Sequence, residues 1–282
     1  MTVELGFWAP VIAAGALAGA STGLLGVYII GMRIPFLGVC VAHAALAGAV
    51  FGSLAGLTGQ ALLVPALVAA LATALALGLA DPRRLRADVN VVMGLLFTLT
   101  MGLAFLGVGL FPRFGRSASE AFGLLWGSLT FCSWRDVALM VPLTAVEVGF
   151  VLLFYKEMRA IMFSREHAAA AGVRVGLVWT GFLFLASAVL TVNFKIVGGL
   201  MIYSLMANPA AAAFQLVRGH GRALALAVAL GTASGVGGFL IALVAELPTG
   251  ATIVLLSSAL VGAAALVARM TRGLAVEDVA QQ

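Results

Sequence analysis

The sequence predicts an all-α, polytopic membrane helix bundle, and three observations carry that expectation. Hydrophobic residues fill 63% of the 282 positions and charged residues only 10%, well under the roughly 25% charged residues of an ordinary soluble domain. Apolar stretches of about 18 or more residues, long enough to cross a ~30 Å hydrocarbon layer as a helix, recur from end to end. Lipid offers the backbone no hydrogen-bond partners, so internally bonded helices are the form these stretches must take.

Taken in order, spans are predicted near 7–31, 35–57, 60–80, 90–111, 137–155, 176–194, 196–217, 223–246 and 250–269. That is about nine spans, with eight the smaller count the same pattern allows. The opening stretch MTVELGFWAP has no basic residue before its apolar run, and the run is too long for a signal-peptide core. It is read as the first span. Gly15, Gly19 and Gly23 in that span, and Gly231 with Gly235 in the eighth, recur every four residues. Such stripes let helix backbones approach closely in lipid.

Lys and Arg fix the expected orientation, because loops on the cytoplasmic side collect them. With the N-terminus outside, twelve fall in inner gaps and four in outer ones: Arg113, Arg116, Arg135 and Lys195. The expectation is N-out and C-in, with one permease-like unit over 1–270 and a short cytoplasmic tail over 271–282.

Two gaps are more than turns. Residues 121–132 are apolar but short, which predicts a re-entrant or interfacial helix on the outer side. On the inner side, Arg165 to Ala171 is alanine-rich after a charged start and suits a short helix, which Gly172 would end.

Several chemistries are excluded. No GxxxxGK[ST] phosphate loop, HExxH helix or GxSxG elbow occurs, and GVGG at 235–238 lies inside an apolar span. Cys40 and Cys132 form no CxxC pair. The formal charge of +5 lacks basic–aromatic clustering, so it reads as loop charge and not as a nucleic-acid surface. The chain reads as a conduit, not an enzyme.

Three stretches together resemble the permease subunit of zinc/manganese/iron-type ATP-binding-cassette (ABC) importers. GVCVAHAALAGAVFG at 38–52 is similar to a second-helix pattern of the form G-D-x-x-S-H-A-x-x-P-G. FSREHAAAAGVRVG, continuing to NFKIVGGLMIYSLMANPAAAAFQL, resembles a cytoplasmic F-D-x-x-x-A-x-x-x-G segment and a helix ending in P-A-A-x-A. GVGGFLIALVAELPTGATIVLL is close to the ending G-x-x-x-S-x-x-x-D-x-P-x-G-x-x-I-V-L, and ADVNVVMGLLFT at 87–98 is a weaker match to an acidic segment before the fourth span. About half the chain is covered, in the family's order.

The resemblance implies a bacterial inner-membrane subunit that binds no cofactor itself and moves a divalent metal, zinc first and then manganese or iron, by alternating access. It also implies a second permease copy, cytoplasmic ATP-binding subunits and an extracytoplasmic metal-binding protein as partners. A chelated or non-metal cargo on the same fold, or a stand-alone secondary carrier, remain the alternatives.

The resemblance places His43 in the ion pathway, where the family pairs it with an Asp one turn earlier; the alternative is a structural histidine hydrogen-bonded to a neighbouring helix. That Asp position is Val39 here, and the Ser position before the histidine is Ala42. Cys40, nearly on the same helix face, is either a soft metal ligand or a small buried apolar residue. Glu147, near mid-span, either compensates for the missing Asp or makes a structural hydrogen bond. Lys195 either snorkels outward or points into the pathway, where it would repel cations.

Asn208–Pro209 interrupts an apolar helix, because proline lacks the N–H that the helix needs, either as broken backbone that lines a cavity or moves or as a static kink. By resemblance, Phe163, Ser164, Arg165, Glu166, Ala168 and Gly172 form the segment that couples to the ATPase. His167 and His220 are expected in cytoplasmic loops, in contact with water.

Overall fold

A computed structural model describes residues 5–79, 88–115 and 129–280. Among these residues there are helices and no strands: α1 (Leu5–Gly31), α2 (Phe36–Leu54), α3 (Leu63–Leu79), α4 (Val89–Leu110), α5 (Trp134–Leu153) and α6 (Tyr155–Phe163). The order continues with α7 (Arg165–Ala170), α8 (Val175–Val197), α9 (Gly199–Leu216), α10 (His220–Ala245) and α11 (Thr249–Ala280). Eight of the described helical segments are long and apolar enough to cross a membrane.

The difference from the nine expected spans is α9, which corresponds to 196–217. It is an 18-residue helix, about 27 Å long at 1.5 Å per residue, but Asn208, Pro209 and Gln215 dilute its apolar character. Its Met201, Ile202, Leu205, Met206, Ala210, Ala212 and Ala213 are nevertheless buried, and it packs against α1, α10 and α11.

The break expected at Asn208–Pro209 is not there, because α9 continues through both residues. Asn208 instead ties α9 to α11, its Nδ2 donating to the hydroxyls of Ser257 (3.0 Å) and Ser258 (3.1 Å). The boundary between the spans expected at 176–194 and 196–217 falls at Gly198, whose φ of +93° separates α8 from α9. That left-handed conformation is open to glycine and strained for residues with a Cβ.

Helix starts follow local chemistry. Asp88 caps α4, its Oδ1 accepting from the Asn90 amide at 2.7 Å. Ser133 and Asp136 form a capping box that starts α5 at Trp134, three residues before the expected 137. Of the outer helix expected near 121–132, residues up to 128 lie outside the described residues, and Leu129–Phe131 forms a single 3₁₀ turn against α1. The side chain of Lys195 also lies outside the described part of the structure. The apolar part of α11 ends at Thr271, and the helix itself continues to Ala280.

The glycine stripes do what their spacing predicts. α1 lies most intimately on α10, with Gly15 facing Gly235, Gly19 facing Gly231 and Gly23 facing Ala227 backbone to backbone. A Cβ on Gly23 would stand 2.6 Å from the Ala227 carbonyl oxygen, closer than real contacts allow. In lipid, where burying leucine gains little over leaving it among acyl chains, this close approach is the main attraction between the two helices. The second centre is α2, which packs on α4, α3, α8 and α9.

Candidate functional site

His43 stands in the middle of α2, half-buried. Its Nδ1 lies 2.9 Å from the Val39 carbonyl oxygen one turn earlier. Its ring meets the edge of Phe97 of α4 at a centroid distance of 4.9 Å and 86° between planes. A carbonyl at that distance calls for the proton on Nδ1, which leaves the Nε2 lone pair free to bind a metal, as in a ligating histidine whose other ring nitrogen donates to a backbone carbonyl.

The other candidates do not gather around it. Cys40 is fully buried in the apolar core, and among the described residues no three His, Cys, Asp or Glu side chains are grouped so that they could hold a metal. Glu147 lies on α5, which packs on α1, α8 and α6, whereas α2 packs on α3, α4, α8 and α9. The two helices share α8 as a neighbour and do not face each other.

Glu147 is nonetheless unusual. It has no solvent exposure, and neither of its carboxylate oxygens has a hydrogen-bond partner among the described residues. The structural hydrogen bond considered from sequence is therefore not made to any described residue. A second polar pair that sequence reasoning passed over does close between α8 and α1: buried Asn193 Nδ2 donates to the Ser21 hydroxyl at 2.9 Å. An asparagine inside an apolar run was the available signal.

At the end of the bundle where α1 and α5 finish, the segment from Phe163 to Gly172 has the form its sequence predicts. Ser164 is extended (φ −163°, ψ 127°) and caps α7, its Oγ accepting from the His167 amide at 3.3 Å. The same hydroxyl donates to Glu166 Oε2 at 3.0 Å. Gly172, with φ +84°, ends the helix and donates its amide to the Ala169 carbonyl.

Two contacts fasten this short helix to the bundle. Ala168 is buried beneath it, and the Arg165 guanidinium sits 3.7 Å over the ring centre of Trp179 in α8. Burial lowers the pKa of that guanidinium and the neighbouring Glu166 opposes the shift. The group remains a cation, so the cation–π contact persists. Phe163, in contrast, is 84% exposed. Removing the cap with Ser164→Ala is expected to weaken α7 by about 1 kcal/mol. Amide exchange at His167 and Ala168 should quicken while α8 is unaffected, and unchanged exchange would show that Arg165 and Ala168 alone hold the segment.

His220 departs from expectation. It is not a solvated loop residue but opens α10, half-buried, with Nε2 3.2 Å from the Tyr28 hydroxyl and its ring packed between Tyr28 and Tyr155. Nothing in the local sequence links position 28 to 220; only the pairing of α1 with α10 does.

Comparison with known proteins supplies the family. The manganese transport system membrane protein MntC of Halalkalibacterium halodurans is 25% identical over 249 residues, spanning 88% of this chain and 83% of that protein. The zinc transport system membrane protein TroC of Treponema pallidum is 30% identical over 245 residues, spanning 84% and 80% respectively. In fold, the chain is similar to a chain of PsaBC from Streptococcus pneumoniae in complex with Fab, with a TM-score of 0.77 at 20% identity, covering 92% of this chain and 90% of that one. The sequence profile described as the ABC 3 transport family matches residues 4–268, a stretch that includes α1 to α10 almost entire and the spanning part of α11 to within a few residues. The chain is a multi-pass membrane protein and belongs to the ABC 3 transport family.

Proposed function

We propose that the chain is the permease subunit of an ABC importer that carries a divalent first-row transition metal across a bacterial inner membrane by alternating access. One observation carries the coupling half of this reading. A short capped helix, α7, is fastened to α8 by Arg165 over Trp179, beside an exposed phenylalanine. A helix rigidly attached to a spanning helix transmits a push, and Phe163 offers an apolar handle for a partner. The route inward runs from α7 to α8, and α8 packs directly on α2, which carries His43.

The cargo half rests on the relatives, whose names are manganese and zinc transport system proteins, and on His43. Cys40 joins no metal-ligand group among the described residues, so the choice between zinc and manganese is left to competition in the assay. One imidazole cannot hold a metal alone, and further ligands are therefore expected from a second copy of the chain. The basic residues Arg33, Lys156, Arg159, Arg165, Arg174, Arg218 and Arg222 at or beside the α7 end of the bundle support the N-out, C-in orientation, with ATP-binding subunits at that end and a metal-binding protein opposite.

The test is uptake into proteoliposomes containing this chain, its ATP-binding subunit and the metal-delivering protein. ATP-dependent accumulation of manganese or zinc is expected, and Phe163→Asp should cut it at least tenfold together with co-purification of the ATPase. ATP hydrolysis without movement of any divalent ion would turn the reading toward a chelated cargo, and uptake without ATPase toward a secondary carrier.

A further inference from the structure

A cavity of about 1090 Å³ opens at the α7 end of the bundle, between the end of α1, α6, the end of α9 and the start of α10. One part of its wall is cationic: Arg33, Lys156 and Arg159, with His220 and Tyr155 beside them. Among the described residues no aspartate or glutamate lines it, and none of the three cations is ion-paired with a described residue. Another part is apolar, made by Ile30, Met162, Phe163 and Phe214 among others.

Arg33 is held in place at a cost. Its φ of +60° is a left-handed conformation that disfavours residues with a Cβ. Asn90 of α4 secures the turn by donating to the Arg33 carbonyl at 3.0 Å, and the Ile34 amide closes it onto Ile29 at 2.9 Å. A glycine would relieve this strain, so an arginine here implies use of its side chain.

Three cations lining one cavity with no acidic residue among its described lining would repel a bare metal ion, so the cavity does not suit the cargo proposed above. They suit an anion with several acceptor oxygens, for which arginine's planar fork is the best match. The apolar wall adds a second requirement, a hydrocarbon part. The cavity lies where α1 and α10 end, the level at which spanning helices meet headgroups, and basic pockets between helices at that level bind acidic headgroups. We propose that this cavity binds an anionic phospholipid, its headgroup phosphate held by Arg33, Lys156 and Arg159 and an acyl chain laid along Met162 and Phe214. The proposal does not depend on the identity of the cargo.

The test uses the full chain in mild detergent, with dioleoyl phosphatidylglycerol, dioleoyl phosphatidylcholine and inorganic phosphate as probes. Bound lipid is counted by native mass spectrometry, and thermal stability is followed against lipid concentration. Phosphatidylglycerol should bind and raise Tm, phosphatidylcholine and phosphate should not, and Lys156→Gln with Arg159→Gln together should weaken the binding at least tenfold. These two side chains are exposed, so the lipid-free Tm should stay close to wild type, and Arg33→Gln, tested separately, should weaken binding in the same direction. Equal binding of phosphatidylglycerol by wild type and double variant would overturn the proposal. So would phosphate binding as tightly as the lipid, which would leave the apolar wall without a role. Loss of ATPase co-purification with lipid binding intact would also overturn it and assign the cavity to the protein partner.

Discussion

Gly19→Leu is expected to abolish the folded bundle or lower its Tm sharply. Gly19 and Gly231 face each other so closely that a side chain on either meets the other's backbone carbonyl. A backbone carbonyl cannot rotate away as a side chain does, so the helices must separate along the whole interface. Overpacking commonly costs about 1–3 kcal/mol where neighbouring side chains can yield; here they cannot, and the loss should exceed that range. Total stabilities of about 5–15 kcal/mol leave little margin. Gly102→Ala in α4, where the added methyl meets nothing within 4 Å, should be neutral or stabilising by up to about 1 kcal/mol. Thermal melts of the three proteins in the same detergent check the pair, and a Gly19→Leu protein melting like wild type would show that α1 and α10 are held by other contacts.

His43→Ala is expected to cut ATP-dependent metal uptake by at least about tenfold, since even outer-shell partners of a metal ligand contribute 10–100-fold to affinity. The fold should survive. The ring gives up an edge contact with Phe97, worth about 0.5–1.5 kcal/mol, and an intrahelical hydrogen bond to Val39 whose carbonyl keeps its helical partner. A modest fall in Tm with coupled ATPase activity retained and uptake lost would place the imidazole in the ion's path. Uptake equal to wild type would move the path elsewhere, with the orphaned Glu147 the next side chain to replace.

The spans, the glycine stripes and the capped helix at 165–170 were legible in sequence because each is written in a local period or a local cap. Gly15, Gly19 and Gly23 are one turn apart whatever the rest of the chain does, and Ser164 finds the His167 amide within a few residues. Pro209 misled for the same reason. The local rule says that proline breaks a helix, but packing of α9 against α1, α10 and α11 holds the helix through it. The turn between α8 and α9 lies at Gly198, a few residues past the boundary that the apolar pattern places between 194 and 196, because hydropathy marks a span's end only to within a few residues.

Pairings across the bundle were out of reach. Arg165 over Trp179, His220 beside Tyr28, Asn193 on Ser21 and the cationic cavity at Arg33, Lys156 and Arg159 join residues from elements far apart in sequence. Sequence alone determined that this chain spans a membrane, which helix faces are small enough to touch, and where a short helix would project from the spans. Those are consequences of hydropathy and of periods of three to four residues. Only the tertiary structure decided that His43 and Glu147 stand on helices that do not face each other, that α9 stays intact, and that three cations share a cavity with an apolar wall. Which helix neighbours which depends on the sum of many weak packing contacts, and no single stretch of sequence contains that sum.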